Sequence, residues 1–266
     1  MELQGKVAVV TGSAVGVGRA AALRFAGRGC RVVINYSRSA AEAQEAAELC
    51  RAKGSEVFVV QADVSRDAEC RKLVQASVER LGGLDILVNN AGITEFVSFA
   101  DLEGLTEEIW ERIFRTNVFG TFYCTRAAVP HMRKAGSGAI VNVASIAGFL
   151  GVGSSIAYAA SKAAIINMTM SLARTLGPEI RVNGVAPGAI DTRWLRSGIG
   201  EKGFEALRVS LRNTTPLQDV ASTDDVADAI LWLVEGARMT TGETIKIDGG
   251  FHLGPGAGVQ RQQKSE

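Results

Sequence analysis

"VVTGSAVGVGRAA", residues 9–21, joins a short run of apolar, mostly β-branched residues to an alanine-rich stretch of helical composition. Glycine allows a tight turn and a close backbone approach to a bound group, and the free N–H groups at a helix N-terminus attract anions. The stretch therefore predicts a strand, a turn and a helix around a pyrophosphate. The cradle residues predicted here are Gly12, Ser13, Gly16, Val17 and Gly18.

The glycine spacing is TGxxxGxG, and no Lys-Ser or Lys-Thr pair follows the last glycine. A phosphate-binding loop of an ATPase needs that pair, so ATP hydrolysis is disfavoured. A glycine-rich turn can also be only a tight turn. Its place between a strand and a helix near the start of the chain favours the pyrophosphate interpretation.

The rest of the chain repeats the order of strand and helix, with no linker and no internal repeat. Seven apolar runs show almost no polar alternation, which indicates strands buried on both faces, as in a parallel sheet. They cover residues 6–10, 31–35, 56–61, 84–88, 138–143, 180–186 and 244–248. Helical stretches between them predict βαβ crossovers, so we expect one α/β domain with a doubly wound sheet and helices on both faces.

Two segments depart from this pattern. Residues 193–222 are polar and contain "TTP", and we interpret them as an inserted substrate lid. Residues 253–266 form a Gly-rich, polar C-terminal tail after a domain that spans residues 1–252.

Composition narrows the class of protein. Of the 266 residues, 47% are hydrophobic and 21% are charged, which suits a large buried core. A net charge of +1 does not indicate the excess of positive charge that binds nucleic acid or an acidic membrane. Four dispersed cysteines, no CxxC and two histidines argue against a metal site, and they fit buried thiols in the cytoplasm. We see no signal peptide and no apolar run of about 20 residues that would span a membrane.

The region after the second strand run bears on the choice of nicotinamide cofactor. A carboxylate about 20 residues after the glycine turn would bind a ribose 2′-OH and favour NAD. No Asp or Glu occurs between Gly18 and Glu42, where the chain instead carries Tyr36, Ser37 and Arg38. An arginine and hydroxyls suit a 2′-phosphate, so NADP(H) is favoured over NAD(H). The alternative is that Arg38 is an ordinary solvated arginine of a loop.

The stretch "YAASK" places Tyr158 and Lys162 one helical turn apart, so their side chains would lie on the same face. A lysine ammonium and a cationic nicotinamide would both lower the pKa of the phenol from about 10 toward the operating pH. Ser145, at the end of a strand run, could join Tyr158 in binding one carbonyl oxygen. The alternative is a chance pair on a surface helix.

Eight motifs in register resemble the short-chain dehydrogenase/reductase family from about residue 3 to residue 252. They are TGSAVGVG (11–18), ADV (62–64), NNAG (89–92), Asn117 in RTNVFGTF, Ser145 in VNVASIAG, YAASK (158–162), RVNGVAPGAIDT (181–192) and DGG (248–250). The resemblance implies a Rossmann-type sheet of seven strands in the order 3-2-1-4-5-6-7. It also implies hydride transfer between NADP(H) and a carbonyl or secondary alcohol.

The resemblance further assigns roles to individual positions. Tyr158 would be the general acid or base, Lys162 would bind the nicotinamide ribose, and Ser145 would hold the substrate oxygen. Asn117 would support a water relay to Lys162. The other cofactor contacts implied are Asp63 and Val64 at the adenine, Asn90, Ala91 and Gly92 under the adenosine ribose, and Pro187, Gly188, Ile190 and Thr192 at the nicotinamide and its phosphate.

Substrate and assembly are less strongly indicated. Trp194 is predicted to contact the substrate with Ser145 and Tyr158, and Phe96, Phe149, Val152 and Leu195 are further apolar candidates. They suggest a small or medium ketone or alcohol. The segment after "NNAGIT" lacks the "RDNL" usual in acyl-carrier-protein reductases of the family, which argues against an acyl-carrier substrate but leaves a fatty acid role as an alternative.

The family resemblance implies a homotetramer, with helices near 106–135 and 155–176 meeting across a two-fold axis through small residues. The positions concerned are Ala127, Ala128, Ala159, Ala163 and Ala164. The alternative is that these alanines pack only on the sheet.

Rival functions remain open. One is an NAD-dependent alcohol dehydrogenase of the same family, and another is a dinucleotide sensor without catalysis. The presence of Ser145, Tyr158 and Lys162 together weighs against the sensor. A nucleic-acid-binding or scaffold protein is disfavoured by the near-neutral charge.

Overall fold

The computed structural model of the chain describes residues 1–254, apart from the side chain of Trp194. Within these residues, seven parallel strands form one sheet in the order β3-β2-β1-β4-β5-β6-β7. The strands are β1 Val7–Val10, β2 Arg31–Tyr36, β3 Val57–Gln61, β4 Ile86–Asn89, β5 Gly138–Val143, β6 Ile180–Pro187 and β7 Thr244–Ile247. The predicted strands and their order are confirmed.

Helices connect the strands and cover both faces of the sheet. They are α1 Gly16–Gly27, α2 Ala40–Arg51, α3 Asp67–Leu81, α4 Glu107–Phe114, α5 Gly120–Lys134, α6 Ala147–Leu150, α7 Ile156–Leu176, α8 Arg193–Thr214 and α9 Thr223–Glu235. A π-helical turn, Arg115–Phe119, joins α4 directly to α5, and a 3-10 turn spans Phe251–Leu253.

The sheet separates two apolar cores, and alternate residues of one strand enter opposite cores. Val7 and Val9 of β1 pack with α3, α5 and α7. Ala8 and Val10 pack with α1, α2 and α9. Strands buried on both faces have no polar side to present, which is why the strand runs are almost continuously apolar.

The strand order places a crevice at the carboxyl ends of β1 and β4. The chain builds outward from β1 to β3 on one side and then from β4 to β7 on the other. Crossovers leave in opposite directions at such a switch point, which opens a cleft where ligands of doubly wound sheets bind.

The segment interpreted as a lid is mostly helical, because α8 fills residues 193–214. Gly200 interrupts this helix with φ 75° and ψ 163°. The two ends of the insertion meet in a parallel β-bridge between Ile190 and Ala221. A lid function for this insertion stays a prediction.

Further predictions from the sequence concern the cysteines, the small residues of the helices, membrane spans and the C-terminal tail. The four cysteines are free and buried, as predicted. Ala127, Ala128 and Ala159 are buried within the subunit, so these three do not offer the interface surface implied by the resemblance. In the described part of the chain, no helix has both the length and the apolar character to cross a membrane. Residues 255–266 of the predicted tail lie outside the described residues.

Candidate active site

The glycine turn after β1 is shaped by two positive φ angles. Gly12 has φ 62° and Gly16 has φ 59°, a region that disfavours residues with a Cβ. A Cβ at Gly12 would also lie 3.0 Å from Ala91 Cα. No side chain caps the N-terminus of α1, so N–H groups of its first turn remain for an anion. These features fit a bound pyrophosphate.

The third glycine serves packing. A Cβ at Gly18 would lie 2.5 Å from Asn90 Nδ2 and 2.6 Å from the carbonyl oxygen of Gly12. Glycine at this position therefore lets α1 approach the turn and the end of β4. Gly18 does not line the cleft, in contrast to Gly12, and it acts on a ligand through the turn that it supports.

Ser13 also proves to be a supporting residue. Its side chain is fully buried, and its hydroxyl donates to the Val10 carbonyl at 2.7 Å. The same hydroxyl accepts from the backbone N–H of Asn35 at 2.9 Å. The prediction that Ser13 contacts the cofactor needs correction, because its hydroxyl points into the sheet.

Asn35 was missed by the sequence reasoning, and it ties the cradle to the neighbouring strands. Its Oδ1 accepts from Gly12 N at 3.0 Å. Its Nδ2 donates to the carbonyls of Val60 at 3.3 Å and Ala62 at 3.0 Å. One buried amide thus fixes the glycine turn relative to the end of β3. An asparagine inside an otherwise apolar strand run was the available signal.

The end of β4 is held by Thr11. Its Oγ1 accepts from the backbone N–H groups of Asn90 at 2.9 Å and Ala91 at 3.0 Å. In return, Asn90 Nδ2 donates to the carbonyls of Thr11 at 2.9 Å and Gly12 at 3.1 Å. The "NNAG" turn and the glycine turn therefore form one hydrogen-bonded unit.

The catalytic candidates meet at the N-terminus of α7. Ser155 caps this helix by accepting from Tyr158 N at 3.3 Å. The Tyr158 hydroxyl is hydrogen-bonded to Ser145, which follows β5. Lys162 donates from Nζ to the Val143 carbonyl at 2.9 Å, and its Nζ lies 5.6 Å from the centre of the Tyr158 ring.

Burial shifts the pKa values of Tyr158 and Lys162. Burial raises the pKa of Tyr158 to about 12, and the hydrogen bond from Ser145 opposes this rise. Burial also lowers the pKa of Lys162 to about 8. The lowering predicted from the sequence depends on Lys162 together with a bound cationic nicotinamide, so it stays a prediction for the complex with cofactor.

Asn117 lies one layer behind the cleft, fully buried in the π-helical turn. Its Oδ1 accepts from Ile93 N at 2.8 Å, and its Nδ2 donates to the Ile93 carbonyl at 3.0 Å. The same Nδ2 donates to Ser161 Oγ at 3.0 Å, and that hydroxyl donates to the Tyr158 carbonyl at 2.7 Å. The Asn117 side chain thus positions the catalytic helix, and its part in a water relay stays a prediction.

A cleft of about 1270 Å³ runs past these groups. Eighteen predicted site residues line it: Gly12, Gly16, Val17, Tyr36, Ser37, Arg38, Asp63, Val64, Asn90, Ala91, Gly92, Ser145, Tyr158, Lys162, Pro187, Gly188, Ile190 and Thr192. Phe96, Val152 and Leu195 also line it, whereas Phe149 does not and instead lies under Lys246 at 4.4 Å. Trp194 is also predicted to contact the substrate, and its side chain lies outside the described part of the structure.

The end of the cleft beside β2 and β3, where the adenosine is predicted to bind, carries a basic side pocket of about 460 Å³. Arg38, Arg66 and Lys72 contribute its positive charge, and Asp63 and Glu69 contribute two carboxylates. The Asp63 backbone N–H donates to Glu69 at 2.6 Å, which holds the segment after β3 in place.

Comparison with known proteins places this geometry in a family. A family model described as enoyl-(acyl carrier protein) reductase matches residues 12–252. A crystal structure from Burkholderia xenovorans, described as a short-chain dehydrogenase/reductase, superposes with a TM-score of 0.86 at 37% identity and covers 93% of this chain and 98% of that one. The chain belongs to the short-chain dehydrogenase/reductase family.

Curated relatives of this short-chain dehydrogenase/reductase have reductase names. A Streptomyces violaceoruber protein, named as ketoacyl reductase 2 of the granaticin polyketide synthase, is 44% identical over 93% of this chain and 96% of its own length. A 3-oxoacyl-[acyl-carrier-protein] reductase of Staphylococcus aureus is 35% identical over 93% of this chain and 98% of its own length. The chain is therefore an oxidoreductase, and its family implies a nicotinamide dinucleotide cofactor.

Proposed function

We propose that this oxidoreductase transfers a hydride between NADP(H) and the carbonyl carbon of a small or medium apolar ketone, or the reverse from a secondary alcohol. The observation that carries the proposal is the hydrogen bond between Ser145 and Tyr158 in the cleft, with Lys162 beside the phenol ring. Two hydroxyls that meet in this way can both bind one carbonyl oxygen.

The residues of the chain supply proton transfer and orientation, and the nicotinamide supplies the hydride when bound. Ser145 and Tyr158 donate hydrogen bonds to the carbonyl oxygen and polarise it. As the hydride reaches carbon, the Tyr158 proton passes to oxygen and completes the alcohol. Lys162, when protonated, stabilises the phenolate that remains. Oxidation of the alcohol uses the same groups in reverse.

Support for NADP(H) comes from the adenosine end of the cleft. Arg38 lines both the cleft and the basic side pocket, where a 2′-phosphate would find an arginine and the Ser37 hydroxyl. We propose that Arg38 sets the preference. Because the pocket also contains the carboxylates of Asp63 and Glu69, the competing proposal of NAD(H) requires a direct test.

The test of cofactor choice is fluorescence titration of the purified protein with NADPH and with NADH, repeated with Arg38→Ala. We expect the unmodified protein to bind NADPH more tightly than NADH. In Arg38→Ala, the affinity for NADPH should fall to that for NADH, and the affinity for NADH should stay the same. Tighter binding of NADH by the unmodified protein would contradict the assignment and favour an NAD-dependent alcohol dehydrogenase.

The test of catalysis is Tyr158→Phe. This change removes the hydroxyl and keeps the ring, so we expect turnover to fall by at least about a thousandfold while the fold and NADPH binding persist. Retention of substantial activity would exclude Tyr158 as the proton donor.

A 3-oxoacyl thioester is the second candidate substrate, favoured by the names of two relatives. A comparison of kcat/KM for a free cyclic ketone and for a 3-oxoacyl thioester decides between the two classes.

We propose also that the protein assembles as a homotetramer in the cytoplasm. Sedimentation that shows a monomer at all concentrations would contradict the tetramer.

A further inference from the structure

The segment after β4 holds Phe96 rigidly at the substrate end of the cleft. Thr94 Oγ1 is hydrogen-bonded to Ser154 Oγ, and Val97 N donates to the Ser154 carbonyl at 2.9 Å. Between these two anchors, Glu95 forms an ion pair with an arginine of α4. The backbone of Phe96 is thus fixed on both sides, and its ring extends into the cleft.

The Phe96 ring lies directly against Gly198 in the first half of α8. A Cβ at Gly198 would be 2.0 Å from Phe96 Cε2 and 2.1 Å from Cζ, far inside van der Waals contact. Gly198 does not have the positive φ that would by itself require glycine. A side chain at this helical position would therefore require the Phe96 ring to move.

Contacts of Arg196 also hold the first half of α8. Arg196 binds Asp191 at 2.8 Å and pairs with Glu201, which lies on the other side of the break at Gly200. Its guanidinium also lies 4.1 Å from the centre of the ring of Phe204, a buried residue. The Phe96 contact and these contacts of Arg196 both restrain the first half of α8.

Apolar side chains of the lid continue the cleft beyond the Phe96 ring. Leu195, Ile199, Leu207 and Leu211 all line it. The ring of Phe96 therefore belongs to the same cleft as Ser145, Tyr158 and this apolar wall.

We propose that the contact between Phe96 and Gly198 determines the size of ketone that the enzyme accepts. This inference rests on the proposed function. With the ring seated on Gly198, the site accepts a single apolar ring beside Ser145 and Tyr158. Any side chain at position 198 pushes the Phe96 ring into the substrate space, and removal of the ring opens that space to a second fused ring.

The test uses cyclohexanone and 2-decalone as one-ring and two-ring ketones, with Gly198→Ala, Phe96→Ala and the double variant. We expect Phe96→Ala to raise the ratio of kcat/KM for 2-decalone over cyclohexanone by about tenfold. We expect Gly198→Ala to lower it by about tenfold, and to have less than about a twofold effect when Phe96 is already alanine. An equal effect of Gly198→Ala with and without the ring would overturn the proposal.

Gly203→Ala is the matched control in the same helix. A Cβ at Gly203 meets no atom closer than 3.4 Å, and Gly203 does not line the cleft. It should leave the ratio unchanged.

Hydrogen exchange gives a readout that does not depend on turnover. Gly198→Ala should speed amide exchange in residues 193–199, and this gain should vanish in the double variant. No gain in exchange would overturn the contact between lid and ring. Failure of the unmodified enzyme to reduce either ketone would overturn the proposed function and, with it, the specificity role.

Discussion

Replacement of Lys162 by methionine should make the protein more stable at neutral pH while abolishing its activity. The ammonium group of Lys162 is almost completely buried, and among the described residues its one hydrogen bond runs from Nζ to the Val143 carbonyl. Burial of a charge with so little compensation opposes folding. Methionine has a similar length, carries no charge and fits an apolar surrounding.

The size of the effect follows from the lowered pKa. A fall from 10.5 to about 8 corresponds to a loss of about 3 kcal/mol at neutral pH, at about 1.4 kcal/mol for each pH unit. The lost hydrogen bond to Val143 costs the Lys162→Met variant about 1–2 kcal/mol. The net gain in the free energy of unfolding is therefore about 1–2 kcal/mol.

The same pKa gives the unmodified protein a characteristic pH dependence. Between pH 8 and 10.5 the unfolded chain keeps the proton of Lys162 while the folded protein has lost it. The free energy of unfolding should therefore rise with pH across this window, and the penalty is fully present below about pH 8. The raised pKa of Tyr158 acts in the opposite direction, but only between pH 10 and about 12.

Urea unfolding at pH 7 and pH 10, without cofactor, measures both effects. The unmodified protein should gain stability between the two pH values relative to Lys162→Met, in which this contribution is absent. Lys134→Met, at an exposed position of α5, is the control for removal of a lysine charge. A Lys162→Met variant that is less stable than the unmodified protein at pH 7 would refute the reasoning.

Two further substitutions test the cradle. Gly18→Ala places a Cβ 2.5 Å from Asn90 Nδ2, so we expect a loss of about 1–3 kcal/mol in urea unfolding and weaker NADPH binding in a fluorescence titration. Unchanged NADPH affinity in that variant would contradict the packing role. Asn35→Leu leaves Gly12 N and the Ala62 carbonyl without their partner, so we expect a loss of about 2–4 kcal/mol in the same measurement. A stability loss below about 0.5 kcal/mol would show that these groups find other partners.

The fold was predictable because the apolar strand runs and the glycine turn both indicate the same architecture. Mostly apolar runs such as residues 138–143, placed between helical stretches, favour strands with two covered faces, and the structure has β5 over that range. The glycine turn after residue 10 likewise predicts a backbone with positive φ, which Gly12 and Gly16 adopt. Both features depend on local chemistry, which a sequence displays directly.

Properties that depend on burial were harder to predict. The spacing of Tyr158 and Lys162 places the two side chains side by side but does not reveal how little water reaches them, and in the absence of cofactor this burial raises the pKa of Tyr158. Ser13 lies in the middle of the cradle motif, yet its hydroxyl turns into the sheet because Asn35 offers a partner from the next strand. A contact between strands of that kind has no signature within the motif itself.

The β-bridge between Ile190 and Ala221 has a consequence for how such enzymes diversify. Because the two ends of the intervening segment meet at one point, a change in its length need not alter the spacing between β6 and α9. The chain would then be free to acquire a new segment from a related gene while the dinucleotide half keeps its residues and spacing. A chimera that exchanges residues 193–220 with those of a relative should therefore fold, keep its cofactor and take on the donor's choice of ketone.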